Sequence, residues 1–152
     1  INRDDIGAIS EDGKIFFKTE VPDREPVFFN SLDNRVAIIR LTPGAPCGIF
    51  DIDGASAVII ESYGAGGLPE IYESKLAELI AKGIYVIMST QVLYGGSNLA
   101  LYRVGRVVKE RFELTETGAM TAEYAVMKAM WALAYSKNYE EFKRLYAEYI
   151  KE

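Results

Sequence analysis

Residues 58–70 have the sequence VIIESYGAGGLPE: an apolar run, then a glycine-rich loop, then a proline. Apolar runs without strict alternation of polar and apolar residues are typical of strands in a sheet that is covered on both faces. Proline suits the first turn of a helix, where its missing N–H is not needed. The stretch therefore predicts a buried strand over 57–61, a tight loop, and a helix that begins at Pro69.

Two further apolar runs, at 36–41 and 84–88, predict strands of the same type, and a loop of small or polar residues follows each. The helix predicted over 69–82 precedes the last of these strands, and Gly83 stands where a C-terminal glycine cap is expected. A strand–helix–strand unit of this kind predicts a parallel crossover. The apolar stripe of this helix is predicted to contain Tyr72, Leu76, Leu79 and Ile80.

Two helices are predicted at the C-terminal end of the chain. Residues 121–135 are rich in helix formers and apolar on most sides, which predicts a buried helix. Asn138, followed three residues later by Glu141, resembles a capping box and predicts the start of the last helix. Glu140 and Arg144 are spaced to form an i,i+4 ion pair. The inward stripe of the last helix is predicted to contain Tyr139, Phe142, Leu145, Tyr146 and Tyr149.

Together these elements predict an α/β domain over 35–152: a small three-layer parallel sheet of about four strands, flanked by helices. Residues 1–34 differ from the rest of the chain. Turn signals surround short apolar patches at 15–17 and 27–29, which predicts a linker or irregular arm with short edge strands. The chain begins at Ile1 rather than at methionine, which suggests a processed product, a fragment or an excised piece.

Composition narrows the possible functions. The 152 residues carry a net charge of −5 with acids and bases well mixed, which argues against nucleic acid as a main partner. The apolar runs at 57–60 and 84–88 are too short to span a bilayer. No charged segment followed by an apolar stretch opens the chain, so we expect no signal peptide and a cytoplasmic location.

The chain contains no histidine. It therefore lacks the commonest general base, metal ligand and partner of a serine or cysteine nucleophile. The sole cysteine, Cys47, is predicted to be a small buried or half-buried thiol. Lys128, on an otherwise apolar helix, is predicted to snorkel or to form an ion pair. Carboxylates fall in no metal-ligand pattern, so the residues predict neither a metal site nor a catalytic set.

Three loops, at 42–48, 62–69 and 89–98, follow predicted strands and should meet at the edge where parallel sheets bind ligands. The middle loop resembles a phosphate cradle, but it matches neither the dinucleotide-binding nor the P-loop pattern. A tight loop whose glycines need positive φ is therefore the stronger interpretation. The polar residues of the third loop are predicted to be caps and turn makers rather than nucleophiles: Ser89, Thr90, Gln91, Ser97 and Asn98.

Several segments, taken in order, resemble the C-terminal domain of type I L-asparaginases. The resemblance runs from about Arg35 to the end of the chain. The most specific segments are SYGAGGLPE at 62–70, STQVLYGG at 89–96 and MTAEYAVMKAMW at 120–131. At these loops the chain looks closest to archaeal members and to the asparaginase-like subunit of the archaeal glutamyl-tRNA amidotransferase.

The resemblance implies a fold and an activity. Members of this family are two-domain enzymes that hydrolyse L-asparagine to L-aspartate and ammonia without a cofactor. A larger N-terminal domain carries a threonine nucleophile, a second threonine, an aspartate and a lysine, and this chain contains none of that domain. The resemblance therefore implies an amidohydrolase domain that has no catalytic residue of its own and is inactive alone.

The resemblance also implies partners. Family members assemble as dimers or tetramers in which the small domain of one subunit completes the site of its neighbour. We therefore expect a missing N-terminal domain, further copies of the chain and a small amino-acid substrate, but neither nucleic acid nor membrane. The candidate contacts with a substrate or an adjacent subunit are Ser62, Tyr63, Gly64, Gly66, Gly67, Leu68, Pro69, Thr90 and Gln91.

The chain departs from its relatives at several positions. Type II enzymes place an asparagine in the glycine loop, where Leu68 or Pro69 stands here. The allosterically regulated bacterial type I enzyme has an arginine, an asparagine and a cysteine where Glu61, Gly67 and Val92 stand, so we do not expect that regulatory site. Two alternative functions stay open. One is a non-catalytic amino-acid-binding or regulatory module, and the other is a domain of an asparaginase-like tRNA amidotransferase subunit.

Overall fold

A computed structural model of the chain describes residues 7–17, Glu25 and residues 28–147. In chain order its strands and helices are β1 (Gly7–Ile9), β2 (Ile15–Phe17), β3 (Val36–Arg40), β4 (Ala57–Ser62), α1 (Glu73–Ala81), β5 (Tyr85–Thr90), α2 (Arg103–Arg111), β6 (Thr115–Glu116), α3 (Ala122–Tyr135) and α4 (Tyr139–Ala147). Short 3-10 helices lie at Cys47–Phe50 and Glu70–Tyr72.

Within the described residues, four strands form a sheet in the order β3, β4, β5, β6. All of its neighbouring strands are parallel, with Ile38 opposite Ile59 and Ile59 opposite Ile87. The strands β1 and β2 form a separate antiparallel hairpin. Helices cover both faces of the parallel sheet, which confirms the predicted three-layer α/β architecture.

One face of the sheet packs against α1, α2 and the two 3-10 helices. The side chains involved are mainly aliphatic, and each fully buried one contributes about 1.5–3 kcal/mol to folding. The buried cluster on this face includes Val58, Ile60, Leu68, Tyr72, Leu76, Leu79, Val86, Met88, Leu99 and Val108. This face therefore holds the larger aliphatic part of the core.

The opposite face of the sheet packs against α3 and α4. Its buried cluster contains Ala57, Ile59, Ile87, Ala125, Ala129, Ala132, Phe142 and Tyr146. The three fully buried residues that α3 contributes to this cluster are alanines, while its half-buried Val126, Trp131 and Leu133 pack against the edge of the cluster. The predicted burial of this helix holds only for its inner side, because Tyr124 is 46% and Met127 50% exposed. The sequence pattern showed that the helix is rich in apolar residues, but it did not show which of them face the sheet.

The helix predicted over 69–82 begins with a 3-10 turn before α1. Pro69 precedes the turn Glu70–Tyr72, and α1 starts at Glu73. Gly83 ends the helix with φ of 77°, and its N–H donates to the carbonyl of Ile80 at 2.9 Å. The glycine cap is therefore confirmed, since only glycine adopts this backbone conformation without strain.

The capping interaction predicted at the start of α4 is present in a modified form. The side-chain oxygen of Asn138 accepts from the N–H of Glu141 at 2.9 Å, as a capping box requires. The Glu141 carboxylate accepts from the N–H of Lys137 at 2.9 Å, one residue earlier than in that motif. Of the predicted inward stripe, Phe142 and Tyr146 are buried, Tyr139 and Leu145 are half-buried, and Tyr149 lies outside the described residues.

Charged side chains on α4 pair differently from the prediction. The carboxylate of Glu140 lies 2.7 Å from the ammonium group of Lys143, and the guanidinium of Arg144 lies 3.9 Å from Glu141. The i,i+3 partners of the two acids are therefore used instead of the predicted i,i+4 pair. Both pairs lie on the surface, where such contacts contribute little to stability.

Lys128 is buried rather than snorkelling, with 5% of its surface exposed. Its ammonium group lies 5.8 Å from the ring centre of Tyr124 and 5.5 Å from that of Tyr146. Cation–π attraction to both rings stabilises the charge in this position. The ammonium group is therefore held at the α3–α4 contact rather than in solvent.

Cys47 is exposed, contrary to the prediction of a buried thiol. It begins the 3-10 helix Cys47–Phe50, and Phe50 is the residue of this turn that enters the core. The sulfur lies 3.9 Å from the carbonyl oxygen of Ile71. The turn directs the aromatic ring inward, so the thiol remains at the surface.

Part of the predicted N-terminal arm packs on α3. The N–H groups of Asn30 and Ser31 donate to the hydroxyl of Tyr135 at 3.1 and 3.2 Å. The N–H of Asp33 donates to the carbonyl of Met130 at 2.9 Å. The apolar patch at 15–17 forms β2, whereas Phe28 and Phe29 lie in no strand and Val27 lies outside the described residues. The boundary at 34/35 stays a prediction.

Two elements were not predicted separately from the sequence. The helix α2 is short and rich in charged residues, and β6 contains only Thr115 and Glu116. Hydrophobic periodicity needs longer windows than these to give a clear signal. In the part of the chain that the structure describes, no helix has the length and apolar character needed to cross a membrane.

Candidate functional site

The carboxyl ends of β3, β4 and β5 are connected by one side chain, Gln91. Its amide nitrogen donates to the carbonyl of Leu41 at 2.7 Å and to that of Glu61 at 2.9 Å. Its backbone N–H donates to the carbonyl of Ser62 at 3.0 Å. The three loops predicted to meet at this edge of the sheet therefore share a hydrogen-bonded junction.

The glycine loop that follows β4 has the backbone geometry predicted for it. Gly64, Gly66 and Gly67 have φ values of 52°, 117° and 124°. Residues with a side chain rarely adopt these values, so the loop needs glycine at each position. The N–H of Gly66 donates to the carbonyl of Tyr63 at 3.0 Å, which closes the turn.

Two hydroxyl groups hold the glycine loop from its sides. The buried hydroxyl of Ser62 donates to the carbonyl of Gly67, and the hydroxyl of Thr90 donates to the carbonyl of Gly64. The Thr90 oxygen also accepts from the N–H of Val92 at 3.2 Å. Both hydroxyls are therefore used to fix backbone, as the sequence predicts for Thr90.

The glycine loop also lies directly against the segment that leads into α2. The N–H of Asn98 donates to the carbonyl of Ala65 at 2.6 Å. A Cβ atom added to Gly66 would lie 3.3 Å from a methyl carbon of Leu99, and one added to Gly67 would lie 3.5 Å from the backbone nitrogen of Gly105. The glycine loop is therefore in close contact with this segment, and a side chain at Gly66 would require Leu99 to move.

Three buried hydroxyl groups, those of Ser89, Thr117 and Ser97, form a hydrogen-bonded row that supports the third loop. The Thr117 hydroxyl donates to the oxygen of Ser89 at 3.1 Å, and the oxygens of Thr117 and Ser97 are also 3.1 Å apart. The N–H of Ser97 donates to the carbonyl of Gly118 at 2.8 Å. This row joins the end of β5 to the residues after β6, so it fixes the loop between them.

Acidic groups near this edge have basic partners. The nearly buried carboxylate of Glu61 lies 3.0 Å from the guanidinium of Arg40. The carboxylate of Glu116 lies 2.5 Å from the ammonium group of Lys109 and accepts from the N–H of Leu99 at 2.8 Å. Neither acid is therefore an isolated charge available as a general base.

The first loop is attached by a buried phenol. The Tyr72 hydroxyl donates to the carbonyl of Ala45 at 2.7 Å. Burial raises the pKa of this phenol above its ordinary value, so it remains a neutral donor at physiological pH. The 42–48 loop is thereby held against the turn that precedes α1.

The structure divides the nine candidate contact residues by accessibility. Ser62, Gly67 and Leu68 are buried, and Leu68 belongs to the aliphatic core. Gly66, Pro69, Thr90 and Gln91 are half-buried, whereas Tyr63 and Gly64 are exposed. The glycine loop therefore offers its tip, Tyr63 and Gly64, to a partner, while most of its other groups maintain its shape.

An apolar surface next to the glycine loop was missed by sequence reasoning. It comprises Tyr63, Leu93, Tyr94, Leu101, Tyr102 and Val104, which are all exposed and which we term the loop patch. Tyr94 is 85% exposed. The signal available in the sequence was the presence of large apolar residues within glycine-rich turns, where polar residues are usual. A large exposed apolar surface of this kind often marks an interaction site.

The polar groups described at this edge of the sheet mainly hold its backbone in shape. The chain has no histidine, and the hydroxyls of Ser62 and Thr90 donate to backbone carbonyls. Within the described residues, no group of three or more histidine, cysteine or carboxylate side chains could hold a metal ion. Activation of a nucleophile normally requires a neighbouring base or metal.

The chain is similar in sequence to L-asparaginases and to a subunit of a tRNA amidotransferase. Residues 35–146 match the family model described as glutaminase/asparaginase C-terminal domain. L-asparaginase from Thermococcus kodakarensis is 37% identical over 152 residues, a match that covers 95% of this chain and 45% of that enzyme. A glutamyl-tRNA(Gln) amidotransferase subunit from Metallosphaera sedula is 31% identical over 74% of the chain and 26% of its own length.

The structure of the thermostable L-asparaginase from Thermococcus kodakarensis gives a similar result. It superposes with a TM-score of 0.79 and 33% identity over 96% of this chain and 46% of that one. The chain thus spans less than half the length of the relatives it matches.

Proposed function

Because the chain belongs to the family of glutaminase/asparaginase C-terminal domains, we propose that it is the C-terminal domain of an L-asparaginase-like amidohydrolase. The proposed reaction converts L-asparagine and water to L-aspartate and ammonia. One observation carries the proposal: nearly the whole chain matches an L-asparaginase, but it matches only 45% of that enzyme. The reacting groups then lie in the remaining part, and the chain alone is inactive.

The geometry at the carboxyl ends of β3, β4 and β5, which we term the carboxyl edge, supports the proposal that the reacting groups lie in another domain. Gln91, Ser62 and Thr90 direct their polar side-chain groups at backbone carbonyls. Such bonds position loops precisely enough to line a site, but they leave these groups unsuited to attack a substrate. We propose that the glycine loop forms one wall of a site whose other wall is the missing N-terminal domain.

The loop patch supplies the surface on which this domain would dock. Its six exposed apolar side chains lie on the loops that follow β4 and β5 and at the start of α2, and a partner would remove them from water. Arg103 and Arg106, both exposed, lie at the start of α2 beside this patch and favour a partner surface with acidic groups. Further copies of the chain and a small amino-acid substrate complete the proposed set of partners.

Reconstitution tests the proposal. Ammonia release from asparagine is measured for the 152-residue chain, for the N-terminal half of the Thermococcus kodakarensis enzyme, and for the two mixed or fused. We expect turnover only when both parts are present. Turnover by rigorously purified chain alone would contradict the proposal, and so would failure of a well-folded fusion.

A matched pair of variants locates the docking surface. Tyr63→Ala removes an exposed aromatic ring from the tip of the glycine loop, and Phe16→Ala removes an exposed ring from the separate β1–β2 hairpin. We expect Tyr63→Ala to lower kcat/KM of the reconstituted enzyme about tenfold or more, as loss of a well-placed contact does. Phe16→Ala should leave it unchanged.

A second candidate is favoured by a specific observation. The glutamyl-tRNA(Gln) amidotransferase subunit from Metallosphaera sedula matches 74% of the chain at 31% identity. To test this candidate, the chain is grafted in place of the corresponding segment of that protein, and amide formation on the charged tRNA is measured. Two results together would favour the amidotransferase function. The grafted protein would form the amide on the charged tRNA, and the asparaginase fusion would not hydrolyse asparagine.

The cytoplasmic location and the domain boundary at 34/35 remain proposals of the same kind. Cell fractionation tests the first. Limited proteolysis tests the second, because a boundary in a linker should be cleaved before the folded domain.

A further inference from the structure

A cleft lies at the amino end of β5, at the opposite edge of the sheet from the glycine loop. Its lining consists of Ile80, residues 83–86, Glu113 and Tyr139, and its volume is about 180 Å³. A cavity of about 150 Å³ accepts a molecule of the size of benzene. The cleft therefore has room for one small ring.

The lining of the cleft is mainly apolar. Ile80 and Ile84 supply aliphatic surface, and the rings of Tyr85 and Tyr139 lie 4.9 Å apart between ring centres. Aliphatic surface favours a ligand with an apolar body. Aromatic rings attract other rings and also cations. The walls therefore suit a ligand that combines a ring with a positive charge.

The hydrogen-bonding groups of the cleft are mainly acceptors. The backbone N–H groups of Gly83, Ile84 and Tyr85 already donate to backbone carbonyls at 2.9–3.0 Å. The hydroxyl of Tyr139 donates to the carbonyl of Glu113 at 3.1 Å. These groups have used their protons, whereas the carboxylate of Glu113 accepts only. A ligand that pairs with the cleft must therefore bring the hydrogen-bond donors.

Carboxylates at the rim of the cleft favour a donor with a positive charge. The ammonium group of Lys143 lies 2.8 Å from the carboxylate of Glu113 and 2.7 Å from that of Glu140. One ammonium group between two carboxylates leaves a net negative charge. The helices α1 and α2 end at Ala81 and Arg111, shortly before cleft residues, and helix carboxyl ends carry partial negative charge.

Two basic residues at these helix ends oppose this charge but lie outside the lining. The guanidinium of Arg111 is paired with the carboxylate of Glu73, and Lys82 is exposed. Neither residue lines the cleft, whereas Glu113 does. Coulomb attraction falls with distance, so the carboxylate in the lining has the strongest influence on the charge that binds there.

We propose that this space, which we term the amino-edge cleft, binds a small aromatic amine. The ring of the ligand lies against Ile80 and Ile84, and its ammonium group donates to the carboxylate of Glu113. The same ring with a carboxylate would be repelled by Glu113 and would bring no donor. The proposal goes beyond the hydrolytic function, because the amino-edge cleft and the carboxyl edge lie at opposite ends of the strands.

NMR titration of the isotope-labelled 152-residue chain with phenethylamine tests the proposal. We expect saturable shifts of the amide signals of residues 83–86 at millimolar ligand concentrations, since a ligand with so few atoms binds weakly. Two matched compounds separate the contributions of ring and charge. Phenylpropionate replaces the ammonium group by a carboxylate, and ethylamine lacks the ring. Each should bind about tenfold or more weakly.

A matched pair of variants tests the role of the carboxylate. Glu113→Gln keeps the size of this exposed side chain, removes its charge and should weaken phenethylamine binding about tenfold or more. Glu123→Gln makes the same change at an exposed position at the start of α3, outside the cleft, and should leave binding unchanged. Thermal unfolding confirms that both variants are folded.

Four results would overturn the proposal. Phenethylamine could leave the signals of residues 83–86 unshifted, either matched compound could bind as tightly, Glu113→Gln could bind like the original chain, or Glu123→Gln could weaken binding equally. None of these results depends on asparagine hydrolysis by the reconstituted enzyme. Failure of this proposal is therefore distinguishable from failure of the proposed function.

Discussion

The loop patch and the outer side of α3, which carries Tyr124, Met127 and Tyr135, both expose large apolar side chains, but different interactions fix their shapes. The loop patch lies mostly on irregular backbone, which is held by buried hydroxyls, one glutamine amide and two glycines, Gly96 and Gly105, without space for a Cβ atom. The outer side of α3 belongs to a regular helix that is held by alanines packed against the sheet. The first surface should therefore lose its shape after a single substitution beneath it, whereas the second should keep its shape when its most exposed side chains, Tyr124 and Met127, are changed.

Gly105→Ala should have the largest effect of the substitutions that test this difference. A Cβ atom there would lie 2.9 Å from Cα and 3.0 Å from the carbonyl carbon of Leu99, and still closer to its oxygen. Alanine is favoured over glycine by about 1 kcal/mol in a helix. The contact is with backbone that cannot move aside, so we expect the free energy of unfolding to fall by about 3 kcal/mol.

Urea unfolding measures this loss, and the neighbouring Val104→Ala is the control. Val104 is exposed in the loop patch, so its truncation should change stability by no more than about 0.5 kcal/mol. A stabilised Gly105→Ala chain would show that helix propensity outweighs the contact with Leu99 and that the loop can move.

Ala129→Leu should have the next largest effect, because it tests the inner side of α3. Ala129 is fully buried between the helix and the sheet, and a larger side chain would force them apart. We expect a loss of about 2 kcal/mol in the free energy of unfolding. Met127→Leu, on the outer face of the same helix, should change it by no more than about 0.5 kcal/mol. Equal effects of the two substitutions would mean that the two sides of α3 are not distinct.

Thr117→Val should have a smaller effect, since it keeps the shape of the side chain and removes one hydroxyl. The oxygens of Ser89 and Ser97 then lose a buried partner. We expect a loss of about 1–2 kcal/mol, measured by thermal or urea unfolding. Thr117→Ser keeps the hydroxyl and should retain the hydrogen bonds. A neutral Thr117→Val would show that the hydroxyl chain does not hold the third loop.

The smallest predicted effect on stability appears only at alkaline pH. It concerns two tyrosines of α4, Tyr139 and Tyr146. Burial raises the pKa of Tyr146 and that of Tyr139 above the ordinary tyrosine value. The folded chain then keeps protons that the unfolded chain releases, so the free energy of unfolding should fall as pH rises above about 10. Tyr146→Phe should make this fall shallower, and Tyr94→Phe, which removes an exposed phenol, should not. An identical fall in the two variants would contradict the assignment to Tyr146.

The sequence predicted the main strands and helices because their apolar runs are long and end at glycine or proline. It could not predict the orientation of α3. Apolar periodicity does not distinguish an alanine that faces the sheet from a tyrosine that faces solvent, and the neighbouring layers decide between them. The elements α2 and β6 were missed because one is short and charged and the other has two residues.

The candidate site was predictable only in part, for a related reason. Positive φ at Gly64, Gly66 and Gly67 follows from local residue type, and the structure confirms it. The partners of Thr90 and Gln91 are backbone carbonyls 26 and 50 residues away in the chain, so only the folded sheet brings them together. The loop patch likewise arises from segments that are distant in sequence and meet at one edge.

Calorimetric titration of the isolated 152-residue chain with asparagine, aspartate and glutamine tests most directly whether the carboxyl edge is half of a shared site. Half a site makes only some of the contacts that a small amino acid needs, so we predict no measurable binding to the chain alone and binding once an N-terminal half is supplied. Tight binding of any of the three amino acids to the isolated chain would contradict this and would identify a complete binding module.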